Sequence, residues 1–290
     1  MFANGSTASA IGRNSNWLPH AVLWLGVFIT AFPLYVTFIA STLLPPEIAT
    51  MPMQMTPGAH LWDNYSAAWS KGSAGTYLSP PASTLLFNSL IVALVVTFGK
   101  ISVSLISAYA VVFFRFPGRM IFFWMIFITL MLPVEVRILP TYAVVTDLHL
   151  INSYAGLTLP LIASATATLL FRQFFLTIPD ELVEAAKIDG AGPMRFFKDI
   201  VIPLSKTNIA ALFVILFIYG WNQYLWPHLI TTSNSLDVVV VAIKKMIGGG
   251  AEPTDWNIVM STTILALIPP VLVIILMQKS FVKGLTDTEK

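Results

Sequence analysis

Of the 290 residues, 56% are hydrophobic and only 10% are charged, and the mean hydropathy is +0.78. So much apolar surface excludes a soluble domain of this size and points to an all-α integral membrane protein. The net charge of +2 gives no reason to expect nucleic acid as a partner, and the absence of cysteine excludes disulfides and thiolate metal sites.

Residues 1–16 are polar and rich in small side chains, and they read as a cytoplasmic tail. The apolar run that follows is too long for the core of a signal peptide, so it is expected to remain as a first span. Six segments are long enough to cross about 30 Å of hydrocarbon as helices. They are Leu18–Leu44, Leu85–Phe114, Met120–Val145, Tyr154–Leu176, Ile209–Ile230 and Ile258–Met277, making a transmembrane domain over 17–281. Between the first two, Pro45–Thr84 is too polar to span and is expected to fold over the outer face. A second such stretch, Thr231–Asn257, carries Gly248-Gly249-Gly250 and Pro253, and residues 282–290 form a C-terminal tail. With the N-terminus inside, cytoplasmic segments hold the basic residues from Arg13, Arg115 and Arg119 through Lys187 and Lys198 to Lys290. Outer segments hold only Lys71, Lys244 and Lys245. That asymmetry predicts that both termini face the cytoplasm.

The segment 177–207, between the fourth and fifth spans, is polar and helix-prone. Thr177-Ile178-Pro179-Asp180 reads as a helix start with Thr177 as N-cap and a proline in the first turn. Glu181 and Glu184 then lie near the positive end of that helix. Gly190 is suited to the left-handed conformation that ends it, and Pro193 to opening a second helix over Met194–Val201. Phe196, Phe197, Ile200 and Val201 fall on one face of that second helix.

Glu184-Ala185-Ala186, Asp189-Gly190-Ala191 and Pro203-Leu204-Ser205 together resemble the EAA loop of ABC importer permeases, the element that docks onto the ATP-hydrolysing subunit. The likeness covers Leu18 to the C-terminus. Arg115-Phe116-Pro117-Gly118-Arg119, Leu139-Pro140-Thr141-Tyr142 and Asn152-Ser153-Tyr154 are similar to segments of the maltose-type carbohydrate uptake permeases. Trp221-Asn222-Gln223-Tyr224-Leu225-Trp226-Pro227 is similar to that family's signature in the fifth span. The resemblance implies a type I importer permease of six helices in the bacterial cytoplasmic (inner) membrane. It also implies as partners a second permease subunit, two ATP-binding cassette subunits and an extracytoplasmic substrate-binding protein. ATP and Mg would be bound by the ATPase subunits, because this chain has no Gly-x-x-x-x-Gly-Lys-[Ser/Thr] loop and is expected to hold no cofactor and catalyse nothing itself. Coupling then falls to Glu184, Ala185, Ala186, Asp189, Gly190 and Ala191, with Glu184 for polar contact and Gly190 for the turn. Within the family, Phe122–Pro140, Ser164–Phe175 and Gly220–Pro227 look closest to permeases of sn-glycerol-3-phosphate importers, which implies that cargo and, by extension, glycerophosphodiesters.

Charged groups inside spans are costly and need a reason. Lys100 sits mid-span among Gly99, Ser102, Ser104 and Ser107, where it either snorkels or faces a cavity. Glu135 and Arg137 lie between Pro133 and Pro140; they either line the translocation path or tie a bent helix to a neighbour. Trp221, Asn222, Gln223 and Tyr224 are candidates for the path lining, the aromatics having an interfacial belt as their other reading. Many carbohydrate relatives carry an acid where this chain has Gln223, and the missing charge fits an anionic cargo. His20, His60, His149 and His228 show no ligand spacing, so no metal site is expected. The competing functions are a sibling permease for neutral sugars and an ion-coupled secondary transporter, for which Glu135 is the one candidate relay.

Overall fold

The computed structural model describes residues 17–73, 78–129, 132, 134–247 and 254–286, excluding the side chains of 134, 135 and 279–286. The N-terminal tail, residues 287–290 of the C-terminal tail, Pro133, the Glu135 side chain, Gly248-Gly249-Gly250 and Pro253 therefore lie outside the described residues. Within them, all regular structure is helical. Apart from single turns at Pro45–Ile48 and Asn234–Leu236, the helices in chain order are α1 (Trp17–Ser41), α2 (Leu61–Ser70), α3 (Ala82–Phe113), α4 (Arg119–Ile128) and α5 (Val134–Asp147). There follow α6 (Tyr154–Leu161, its last turn 3-10), α7 (Ala165–Phe175), α8 (Asp180–Ile188) and α9 (Pro193–Leu204). The chain ends with α10 (Lys206–Trp221), α11 (Leu225–Ile230), α12 (Val239–Ile247) and α13 (Trp256–Thr286).

The centre is α3, whose 32 residues contain no proline and run roughly 48 Å. It packs against α7 and α10, and α10 packs in turn against α13. The crossing of α3 and α10 is close because Gly220 has no side chain: a Cβ there would meet the Ala93 backbone at 3.0 Å. By contrast, α1 buries only Ile39, Ala40 and Ser41 at its end and leaves the rest of its apolar surface open, as a lipid-facing helix does. The segment after α1 turns back onto it. The Asn64 amide of α2 donates to the carbonyls of Ser41 and Leu43, and Asn257 of α13 donates to Asn64.

Among the described residues, three helices are long and apolar enough to cross a bilayer, and two bent pairs raise the number to five. The expected span Tyr154–Leu176 is one of these pairs, α6 and α7, bent by 46°. Met120–Val145 divides into α4 and α5, with residues 130, 131 and 133 between them outside the described set. The expected continuous span Ile209–Ile230 is corrected: α10 stops at Trp221 and α11 begins at Leu225. Pro227 is the cause, because its ring would collide with the Gln223 carbonyl one turn earlier.

A polar network closes the end of α3 where the chain enters α12. Asp237 is fully buried and accepts two hydrogen bonds from Lys245 Nζ, at 2.8 and 2.9 Å, and a weaker one from Thr231. Asn88 of α3 donates to the carbonyls of Ser235 and Asp237 and accepts from the Tyr154 hydroxyl. Removing one partner of a buried pair destabilises by roughly 3–5 kcal/mol. Asp237→Ala is therefore expected to lower the thermal midpoint in detergent by several degrees, with Asp237→Ala/Lys245→Met recovering part of the loss. An unchanged midpoint in the single variant would remove the pair from the list of what holds this end together.

Candidate docking elbow and translocation cleft

The polar segment folds as two helices joined by a tight turn. Its start differs from the expectation: Pro179 occupies the N-cap position, and Thr177 instead donates to the Phe174 carbonyl, closing the preceding helix. A proline one residue before Asp180 holds extended backbone there, which moves the helix start past Thr177. Asp180 and Glu181 lie in the first turn and Lys187 in the last, each at the favourable end of the dipole. The far end of α8 is a Schellman motif: Ala191 N–H donates to the Ala186 carbonyl and Gly190 N–H to that of Lys187. Gly190 has φ +70°, with open space around it, so glycine is needed for its backbone angle rather than for room. Pro193 then takes the first position of α9, where its missing N–H does no harm. A π-helical turn over Phe197–Val201 precedes Pro203, and the chain bends by 71° into α10.

Aromatic packing joins this elbow to the helix bundle. Phe113 meets Phe196 edge-on at 5.3 Å, and Phe113 lies 6.0 Å from Phe175. The Tyr109 ring is 4.6 Å from Phe197, and its hydroxyl donates to the Pro193 carbonyl at 2.7 Å. Of the residues singled out for coupling, Ala186 is buried in this cluster and Ala191 packs against it. Glu184, Ala185, Asp189 and Gly190 face outward. Two residues that the sequence reading passed over stand beside them: Ile188 is 87% exposed and Met194 74% exposed, apolar tips on an otherwise polar elbow. Their apolar character amid charged neighbours was the available signal. No local signal marked Tyr109.

The second candidate region is a cleft of about 130 Å³ where α3, α5, α10 and α11 meet the bend between α6 and α7. It brings Lys100, Arg137 and Gln223 together, three of the proposed path residues from distant parts of the chain. Lys100 is 7% exposed, and its ammonium sits 3.8 Å above the centre of the Tyr219 ring. Gln223 donates to the Tyr219 carbonyl at 3.1 Å, while Thr141 donates to the carbonyl of Arg137. Among the described residues, no carboxylate lines the cleft.

The other path candidates are placed elsewhere. Trp221 is 2% exposed and stacks on Phe217 in the core, because it still belongs to the last turn of α10 and faces the bundle. Asn222 caps that helix and points outward. Tyr224 stacks on His228, one turn away in α11, at an interplanar angle of 10°. Trp226 does reach the cleft wall, its indole N–H held by the Gly156 carbonyl at 3.1 Å.

Comparison with known proteins places this geometry. Residues 100–287 match the family described as binding-protein-dependent transport system inner membrane component. The chain is 60% identical, over 95% of its length and 98% of the relative's, to the sn-glycerol-3-phosphate transport system permease protein UgpE of Rhizobium meliloti (strain 1021). It is 59% identical to the protein of the same name from Yersinia enterocolitica, over 93% of this chain and 96% of that one. Among solved structures, a bacterial ABC transporter involved in the import of the acidic polysaccharide alginate superposes with a TM-score of 0.78 at 19% identity. That match covers 92% of this chain and 96% of the other, and it speaks to the fold. With a family match over most of its length and relatives this similar from end to end, the chain belongs to the binding-protein-dependent transport system inner membrane components.

Proposed function

We propose that this chain is a permease subunit of a type I ABC importer that carries sn-glycerol-3-phosphate across the bacterial inner membrane. The observation that carries this reading is the 60% identity to an sn-glycerol-3-phosphate permease over nearly the whole of both chains. The chain works with a second permease subunit, two ATPase subunits that bind ATP and Mg, and an extracytoplasmic binding protein that delivers cargo. It crosses the membrane six times with both termini inside, α4 and α5 together forming the third crossing. The asymmetry of Lys and Arg supports that orientation.

In this reading the elbow receives movement from the ATPase subunits. Glu184 offers a charge and Ile188 and Met194 offer apolar tips for docking, on a turn held by Gly190. The Phe113, Phe175 and Phe196 contacts pass the displacement to α3 and α7, and the direct chain connection passes it to α10. The helices around the cleft then shift together, and the path opens alternately to either side.

The natural absence of cysteine makes orientation testable. Lys71→Cys is expected to react with an impermeant thiol reagent in intact cells, and Lys198→Cys only after the membrane is opened. The reverse pattern would invert the topology. Gly190→Pro removes a hydrogen-bonded N–H and forbids the left-handed φ, and Glu184→Lys reverses the docking charge. Each is expected to abolish uptake of labelled sn-glycerol-3-phosphate at normal expression, and normal uptake in both would sink the coupling assignment. Uptake of a neutral sugar in place of the phosphate ester would keep the family and replace the cargo. Tyr109→Phe keeps the ring but loses a hydrogen bond contributing about 0.5–1.5 kcal/mol. We expect it to slow uptake with the complex still assembled; wild-type uptake would show that the Tyr109–Pro193 bond plays no part in transmission.

A further inference from the structure

We infer that the cleft holding Lys100, Arg137 and Gln223 is an anion subsite in the translocation path, which takes the phosphate end of a phosphate ester in transit. The assignment rests on the cargo proposed above and adds to it the residues that handle the charge.

Other buried polar side chains of α3 have a structural task. Asn88 donates to two loop carbonyls, Ser89 accepts from Val239 N–H, Ser104 donates to the Ser164 carbonyl at the α6–α7 bend, and Tyr109 donates to Pro193. Lys100 lies on the same helix and is as deeply buried, yet its ammonium rests on an aromatic face. A ring face stabilises a cation without taking its N–H donors in conventional hydrogen bonds, so an anion can claim them. Among the described residues the cleft offers Lys100 no carboxylate. Instead a second cation, Arg137, shares it.

The backbone around the cleft argues in the same direction. Two helix breaks form its wall, the α6–α7 bend at Pro160, Leu161 and Ala163 and the α10–α11 gap at Gln223 and Leu225. Non-helical backbone at membrane depth is tolerated where it is buried in protein or lines a watered cavity. Ile138, Pro160, Leu161, Ala163 and Leu225 give the wall an apolar part, and low polarizability beside a charge strengthens the attraction of two cations for an anion. A volume of about 130 Å³ accommodates a phosphate group with a few waters, whose liquid share is about 30 Å³ each. Guanidinium suits two phosphate oxygens at once, ammonium supplies a point charge, and the second N–H of the Gln223 amide offers a neutral donor. An acid in place of Gln223 would repel the cargo.

The test uses the complete complex, with its partner subunits and binding protein, reconstituted in proteoliposomes. Lys100→Met and Arg137→Gln are each expected to lower the maximal rate of sn-glycerol-3-phosphate uptake about tenfold, the scale of one charge-assisted hydrogen bond. Gln223→Glu should lower it as well. KM for the loaded binding protein and basal ATP hydrolysis should be unchanged, and Lys100→Arg should keep most of the rate. Wild-type uptake in Lys100→Met/Arg137→Gln overturns the proposal. So does loss of assembly or basal hydrolysis along with uptake, which would assign the cations to structure. A second readout does not depend on cargo. With each rate divided by that reagent's rate on a free thiol in solution, Gln223→Cys should react faster with anionic sulfonatoethyl methanethiosulfonate than with its cationic trimethylammonium analogue, and Lys100→Met should erase that preference. Equal rates before that change overturn the anion site whatever the complex carries. An intact preference in a complex that takes up no sn-glycerol-3-phosphate keeps the anion site and rejects the cargo.

Discussion

A peptide group in hydrocarbon has no water to bond, so wherever a helix breaks inside a membrane protein another part of the protein must answer for it. In this chain the answering element is α3. Along its length Asn88, Ser89, Ser104 and Tyr109 each meet a backbone group at a place where a neighbour stops being a regular helix. The uninterrupted helix makes the interrupted ones possible. Its own regularity comes from a long run without proline, and its close approach to α10 comes from a glycine on the partner.

The elbow extends this arrangement beyond the bundle. Each aromatic pair adds about 0.5–1.5 kcal/mol beyond the area it buries, and Tyr109 and Phe113 of α3 pair with Phe196 and Phe197 of α9. The Schellman turn at Gly190 satisfies the end of α8 without needing water, so the tip of the elbow stands on a closed, hydrogen-bonded frame. Force applied at its tip is therefore met by packed rings rather than by a loose loop. The π-helical turn and 71° bend near Pro203 place α9 across the axis of α10 and not in line with it.

Charge is used differently in two places on α3. Near its start, the chain matches Asp237 with Lys245 inside a dense set of hydrogen bonds, and this end is fixed. Near its middle, Lys100 and Arg137 share a small cleft with an aromatic ring and an amide. A matched pair holds structure together, whereas on the proposed reading the two like charges beside broken backbone await a visitor of opposite sign. For a transporter the second arrangement must remain weak enough for release, and a cation resting on a ring keeps a partner to return to.

Composition determined the membrane class, because no soluble fold of 290 residues needs so much apolar surface. Local chemistry determined the elbow, because the left-handed turn at Gly190 and the helix start at Pro193 depend on the φ preferences of single residues. The same local logic misplaced Thr177, since the proline two residues on outweighed its capping propensity. The length of the apolar run joined α10 and α11 into one span, because a hydropathy run continues across a break in hydrogen bonding; Pro227 was the signal to read instead. Only the tertiary structure decided which polar residues meet. Trp221 and Gln223 stand two positions apart, yet one closes the core and the other lines the cleft. Lys100, Arg137 and Gln223 are brought together by the crossing of helices far apart in the chain. That crossing depends on which faces pack, and face packing is a property of pairs of helices that no single segment contains.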